Sequence, residues 1–289
     1  MDVLTYGIIS GSIILLGSLG FSLTLKTERF LNIAHGQMLL FGAYAALFLN
    51  QRGLDMVTAA AVATVASGLL GVLIHRVLYE PVRSRGILVL LFTSVGVAYV
   101  LNGLIGAFAG KRMQAYDLPA VRALTIGDRP IMTIYELLIV LIAVAAAIGI
   151  HLFLTRTWTG KSIRAVSDNY DLARVRGFNP RRVSDYVWFI ASALAGLAGV
   201  FTGIIGSLHL EIGWQQTIII LAATVLGGLG SVYGVMLASF VLGIGMELGI
   251  TVLPSSYRMA IAFLIIILVL FLRPQGLESL WSRHRERIA

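Results

Sequence analysis

The sequence contains no cysteine among its 289 residues, which removes disulfides, thiolate nucleophiles and thiolate metal sites from consideration. Charge is scarce as well. Asp, Glu, Lys and Arg make up 12% of the chain against 58% hydrophobic residues, where a soluble domain carries roughly 25% charged and about 45–50% apolar. That balance excludes an ordinary soluble globule and calls for a lipid bilayer around most of the chain. Acids are fewer than bases, 14 against 22, for a net charge of +8. No basic patch is interleaved with aromatic residues for base stacking, so no nucleic-acid partner is expected. Catalytic constellations are missing too: there are no paired carboxylates, no His-Glu-x-x-His helix and no nucleophile elbow. The five histidines, His35, His75, His151, His209 and His284, stand apart from one another. Neither a metal site nor an enzyme is expected. Residues Met1 to Tyr6 lack a basic n-region and no small-residue cleavage site follows, so the first apolar run reads as a retained span.

What the chain does have is a series of long apolar runs. About 20 residues are needed to cross roughly 30 Å of hydrocarbon, and candidate spans are Val3 to Leu25, Leu31 to Leu49, Met56 to Leu78, Ile87 to Phe108, Thr133 to Leu154, Tyr186 to Gly206, Thr217 to Leu253 and Tyr257 to Leu272. The seventh run is twice the usual length and is broken by Gly227, Gly228, Gly230 and Gly234. It reads as two spans meeting at a tight turn, giving an all-α polytopic membrane protein of eight or nine transmembrane helices within one membrane domain, residues 1–289. The outer connection from Ala109 to Met132 is expected to hold an amphipathic or extended piece. Glycine recurs at four-residue spacing in Gly7/Gly11, Gly199/Gly203, Gly230/Gly234 and Gly245/Gly249, a pattern that lets helix backbones approach closely in lipid.

Orientation follows from the basic residues. If the polar connector 155–185 faces the cytoplasm, sixteen of the 22 Lys and Arg lie inside and six outside, as the positive-inside bias requires. The N-terminus is then outside, and the tail 273–289 is cytoplasmic. The connector holds seven basic residues, Arg156, Lys161, Arg164, Arg174, Arg176, Arg181 and Arg182, which suits it to docking a soluble partner.

Helix breaks at membrane depth survive only where protein or a wet cavity satisfies the backbone, and paired breaks point to a substrate path. Two breaks are visible. One runs through Asn32, Ile33, Ala34, His35, Gly36 and Gln37; the other is Gly227-Gly228-Leu229-Gly230-Ser231. Path candidates are therefore Asn32, His35, Gly36, Gln37, Gly227, Gly228 and Gly230, together with Glu247, the one acid deep in a span. His35 is read either as a cap on the helix that follows or as a path-lining group. Glu247 is either a proton-sensitive cavity group or an acid near the outer interface. Two nucleotide-site decoys fail on context. Gly160-Lys161-Ser162 has Thr155 where a phosphate-binding loop needs glycine, and the Gly228 to Tyr233 segment is one glycine short of a dinucleotide fingerprint.

Five segments, in order along the chain, carry a family resemblance. They are Leu31 to Gly36 running into Phe41-Gly42-Ala43-Tyr44; Gly160 to Val166 through Ala173, Gly177, Phe178 and Asn179; Ala195 to Gly199; Leu226 to Ser231 with Gly234; and Arg273-Pro274-Gln275-Gly276-Leu277. The chain resembles the permease subunits of ABC importers of the branched-chain amino acid type, in particular the shorter of the two paired permeases. The resemblance implies a type II importer-like fold in the bacterial cytoplasmic (inner) membrane. It also implies a second, longer permease subunit, two cytoplasmic ATPases that hold the ATP and Mg²⁺, and an extracytoplasmic solute-binding protein. No cofactor is expected on this chain itself. Such permeases dock their ATPase through a Glu-Ala-Ala, three residues, Gly segment. Asp171, Leu172 and Ala173 followed by Gly177 occupy that spacing, with Leu172 departing from it, and Arg174 and Arg176 lie between. The segment Ser207 to Gln216 lacks a proline associated with the family. The solute therefore stays open among a branched-chain amino acid, urea, a short amide and an aromatic acid. An ATP-independent secondary transporter or channel is the alternative class, and it would need buried ionisable groups that this chain hardly has.

Overall fold

Apolar runs in lipid become helices because the bilayer offers backbone groups no partner but each other. The computed structural model describes residues 3–110, 112–119, 121–126, 129–272 and 277. Its helices are α1 (Val3–Glu28), α2 (His35–Gln51), α3 (Met56–Ile74), α4 (Ile87–Ala109), α5 (Ile134–Arg156), α6 (Trp158–Asp168), α7 (Tyr170–Val175), α8 (Pro180–Ile205), α9 (Ile212–Gly227), α10 (Val232–Gly249) and α11 (Arg258–Leu272). Six helical rods are long and apolar enough to cross a membrane: α1, α3 with its continuation, α4, α5, α8 and α10. The other three apolar segments, α2, α9 and α11, are shorter, at 17, 16 and 15 residues. The tail 273–289, with the Arg273 to Gly276 part of its motif, lies outside the described residues except for Leu277, whose N–H donates to the Leu226 carbonyl at 2.9 Å.

The boundaries differ from the sequence expectation where local chemistry intervenes. The second span begins at His35 and not Leu31, because residues 29–34 are held out of the helix by side-chain bonds described below. The long seventh run is the expected hairpin of α9 and α10, but α9 begins at Ile212 and not Thr217, so the connection from α8 shrinks to 206–211. Downstream of α3 the rod runs on to Arg85 through a π turn (His75–Tyr79) and a 3₁₀ turn (Glu80–Arg85). Pro81 explains the change: it has no N–H to offer the α-helical ladder and its ring clashes with the preceding turn. Glu136 belongs to a capping box at the start of α5, where its carboxylate accepts the Thr133 N–H at 2.6 Å while the Thr133 hydroxyl accepts the Glu136 N–H.

α1 and α8 form the centre. α1 packs chiefly against α10 and α8, and α8 against α3 and α2. Glycine makes these approaches possible. A Cβ on Gly243 would lie 2.4 Å from the Gly11 nitrogen, and one on Gly199 would lie 1.9 Å from the Leu39 carbonyl oxygen. Gly245 and Gly249 face Ile265 and Ile261 of α11. The four-residue glycine spacing is thus used within this chain. Between α4 and α5, strands 124–126 and 129–132 pair antiparallel, Gln114 bridges Leu208, and the Tyr116 hydroxyl donates to the Ala43 carbonyl at 2.9 Å. This is the extended piece expected between Ala109 and Met132.

Candidate functional site

The connector 155–185 is helical for most of its length. Thr157 caps α6, its hydroxyl accepting the Gly160 N–H at 3.0 Å, and Gly160 lets α6 fold back on α5, since a Cβ there would lie 2.1 Å from the Phe153 carbonyl oxygen. Asn169 caps α7 by accepting the Leu172 N–H at 3.0 Å. Gly177 ends α7 at φ +86°, and two bonds close the turn, Phe178 N–H to Ala173 C=O and Gly177 N–H to Arg174 C=O, both 3.1 Å. This is the Schellman arrangement, which needs a left-handed residue at that point. Asp171 lies in α7 by its backbone. Ala173 is buried, whereas Leu172, Val175, Arg174, Arg176 and Gly177 are exposed, Val175 at 84%.

Side chains distant in the sequence fasten this unit to the spans. The Arg29 guanidinium donates to the Ser167 and Asp168 carbonyls at 3.1 and 3.0 Å, a cation on the C-terminus of α6 worth about 0.3–1 kcal/mol. Thr27 and Ser167 share a hydroxyl bond of 3.0 Å. Arg83 pairs with buried Glu28 at 3.2 Å and lies over the Tyr170 ring. Arg76 chelates Asp185 with bonds of 2.7 to 3.2 Å. Arg181, expected to serve a partner, reaches Glu80 of the same chain at 2.6 Å. The sequence offered no sign of these pairings, because they join charges that are distant in the chain.

The two helix breaks have different surroundings. Around Asn32 the irregular backbone is packed into protein. The Asn32 side-chain oxygen accepts the Ala34 N–H at 3.1 Å and the Tyr79 hydroxyl at 3.0 Å, and the Ser94 hydroxyl accepts the Ile33 N–H at 3.2 Å. Tyr79 stacks on Trp188, as does His75. His35 does not cap α2; its Nε2 meets the Gly17 carbonyl of α1 at 2.9 Å, and its ring stands edge-on to Phe21. Asn32, two residues before the α2 N-cap, makes the local turn instead. Gln37 accepts from Asn102 at 3.2 Å, and Gly36 sits where a Cβ would lie 2.0 Å from the Thr217 hydroxyl oxygen. The Nδ2 of Asn32, Nδ1 of His35 and Nε2 of Gln37 are buried without a protein hydrogen-bond partner.

The second break is a turn. Gly227 and Gly228 are buried, Gly228 and Gly230 have φ of +103° and +83°, and Ser231 caps α10 by accepting the Gly234 N–H at 3.2 Å. Gly230 lines a cleft of about 670 Å³ whose other walls come from the end of α1, the end of α5 and α6. No residue of the first break lines it. Glu247 stands at the far end of α10, where it accepts the Ser10 hydroxyl at 2.8 Å and pairs with Arg258. The structure therefore places Glu247 in an ion pair near a helix end and not in the cleft. Among the described residues no cluster of three His, Asp or Glu side chains is arranged to hold a metal.

A polytopic helical bundle with a short helical connector tethered at one end defines a multi-pass transport permease with the type II importer-like fold. A chain of PsaBC from Streptococcus pneumoniae, solved in complex with Fab, shares this fold with a TM-score of 0.54 over 97% of this chain and 95% of that one, at 16% identity. Residues 3–270 match the family described as branched-chain amino acid transport system / permease component. The chain belongs to that family. It is 27% identical to the high-affinity branched-chain amino acid transport system permease protein BraD of Pseudomonas aeruginosa, over 96% of this chain and 95% of the relative. It is 28% identical to the corresponding LivH protein of Escherichia coli strain K12, over 94% and 92%.

Proposed function

We propose that this chain is the shorter permease subunit of an ATP-driven importer and forms one solute path with a second, longer permease subunit. Two cytoplasmic ATPases hold the ATP and Mg²⁺, an extracytoplasmic binding protein delivers the solute, and this chain itself catalyses no reaction. The solute is a branched-chain amino acid, the class carried in the names of its relatives. The N-terminus is outside the cytoplasmic membrane and the C-terminus inside, as the distribution of Lys and Arg favours.

One observation carries the reading: α7 presents Leu172, Val175, Arg174 and Arg176 to solvent while α6, directly before it, is bonded to the end of α1 through Arg29 and Thr27. The segment Asp171 to Gly177 is the ATPase coupling helix. Closure of the ATPase pair moves α7, and α6 hands that motion to α1 as one state of a two-state element. Buried polar side-chain atoms of Asn32, His35 and Gln37 that no described protein group partners support a place for the first break on the path of the assembled transporter. The test is Val175→Asp, which touches no core contact. The variant should reach the membrane at normal levels. Retention of co-expressed ATPases in mild detergent, and uptake with it, should fall by on the order of tenfold, the effect of losing about 1.4 kcal/mol at an interface. Undiminished retention would remove α7 from the interface.

A further inference from the structure

The cleft beside the second break has a charge pattern that the transport reading does not use. Lys26 at the end of α1 and Arg164 on α6 both line it, and neither makes an ion pair among the described residues. None of its described lining residues is acidic. Hydroxyls of Thr27, Ser167 and Ser231 lie on its walls, as does the His151–Tyr233 pair, bonded at 2.6 Å. The N-terminus of the 18-residue α10 adds a positive dipole end with the first-turn N–H groups of Val232 and Tyr233, while the Ser231 N–H donates to the Gly228 carbonyl and the Gly234 N–H to the Ser231 hydroxyl. Leu23, Leu154, Ile163 and Val232 supply apolar wall. The cleft volume of about 670 Å³ falls within the roughly 300–1,000 Å³ of small-molecule sites.

Two cations, hydroxyls and a helix N-terminus without a carboxylate select an anion. A zwitterionic amino acid would find no counter-charge for its ammonium group. One wall, α5, has the smallest buried share of the six long spans, 17%, and so is the one most open to surrounding lipid. We propose that this cleft binds a phosphate group, that of an anionic phospholipid headgroup with its acyl chains lying along α5. Basic pockets between membrane helices at the headgroup level are suited to such ligands. Bound there, one phosphate joins α1 through Lys26 to α6 through Arg164 beside the α9–α10 turn, and so stiffens the joint at which the connector meets the spans. With the orientation proposed above the leaflet is the inner one; headgroup binding itself does not depend on that orientation.

The full chain, purified in mild detergent and offered phosphatidylglycerol or phosphatidylcholine, should retain one phosphatidylglycerol in native mass spectrometry and no phosphatidylcholine. Lys26→Gln with Arg164→Gln should weaken that retention about thirtyfold, on the order of fivefold for each cation near the surface. Both side chains are exposed, and wild-type preference between the two lipids needs no variant. Detergent solution has no leaflets, so a wrong orientation cannot cause failure here. If millimolar inorganic phosphate raises thermal stability of the wild type but not of the double variant, with no preference between lipids, the lipid source is overturned and a soluble phosphate ligand takes its place. If neither probe separates wild type from double variant, the site does not exist.

Discussion

The two helix breaks looked alike in the sequence, each a short glycine-containing interruption between apolar runs, yet they meet opposite physical demands. Around Asn32 the chain leaves helical geometry inside the protein, and side chains hold it there: the Asn32 side-chain oxygen accepts the Ala34 N–H and the Tyr79 hydroxyl, Ser94 accepts the Ile33 N–H, and His35 reaches α1, beside a backbone bond from the His35 N–H to the Asn32 carbonyl. At Gly228 to Ser231 the chain turns beside an open cleft, and the requirement is for positive φ at two positions. The first break is specified by partners, the second by backbone.

Substitutions at four positions sharpen that contrast. The largest effect is expected for Gly36→Val, whose Cβ has no room against the Thr217 hydroxyl and the Gly213 carbonyl; overpacking of this kind costs about 3 kcal/mol, and the monodisperse peak in detergent should be lost. Asn32→Ala comes next. It strips acceptors from the Ala34 N–H and the buried Tyr79 hydroxyl, at about 1–3 kcal/mol, read as a lower melting temperature. Gly230→Ala meets nothing closer than Lys26 carbons at 3.6 Å but must hold φ +83°, which costs about 1–2 kcal/mol. A smaller loss for Gly230→Asn, which tolerates the left-handed region, would show that backbone and not space is limiting. Leu229→Ser, on an exposed side chain between those glycines, should change stability by less than about 0.5 kcal/mol. Equal sensitivity of Leu229 and Asn32 would erase the distinction between the breaks.

Much of the fold was legible in the sequence for a reason internal to membranes: a run of apolar residues can only be helix in lipid, so the spans and the α9–α10 hairpin could be read from composition and glycine alone. The ends of those spans were less legible. Pro81 signals a break in the α3 rod, but the π turn that precedes it depends on tertiary context around Tyr79 and Trp188. The connector was legible in outline, since its polarity and the Asp171 to Gly177 spacing mark it as unlike the rest. Its fastening was not. Glu28 with Arg83, Arg76 with Asp185, and Arg29 with the end of α6 are contacts between residues 55 to 139 positions apart, and no local pattern encodes them. His35 misled for the same reason: a histidine before a helix looks like a cap until its neighbour across the bundle, Gly17, is known.

Arg29 is the one described non-glycine residue with positive φ, at 60°, and this kink turns its guanidinium onto the last carbonyls of α6. α1 is 26 residues long, about 39 Å at ~1.5 Å per residue, and 83% of an 18-residue apolar stretch of it is buried within the protein. A rod gripped along its length does not bend on its own. In the coupling proposed above, a push on the connector becomes a tilt of α1 as a whole, and Gly7 and Gly11, pressed against α10 toward the other end of α1, shift with it as the far arm of a lever whose handle is Arg29 together with Thr27.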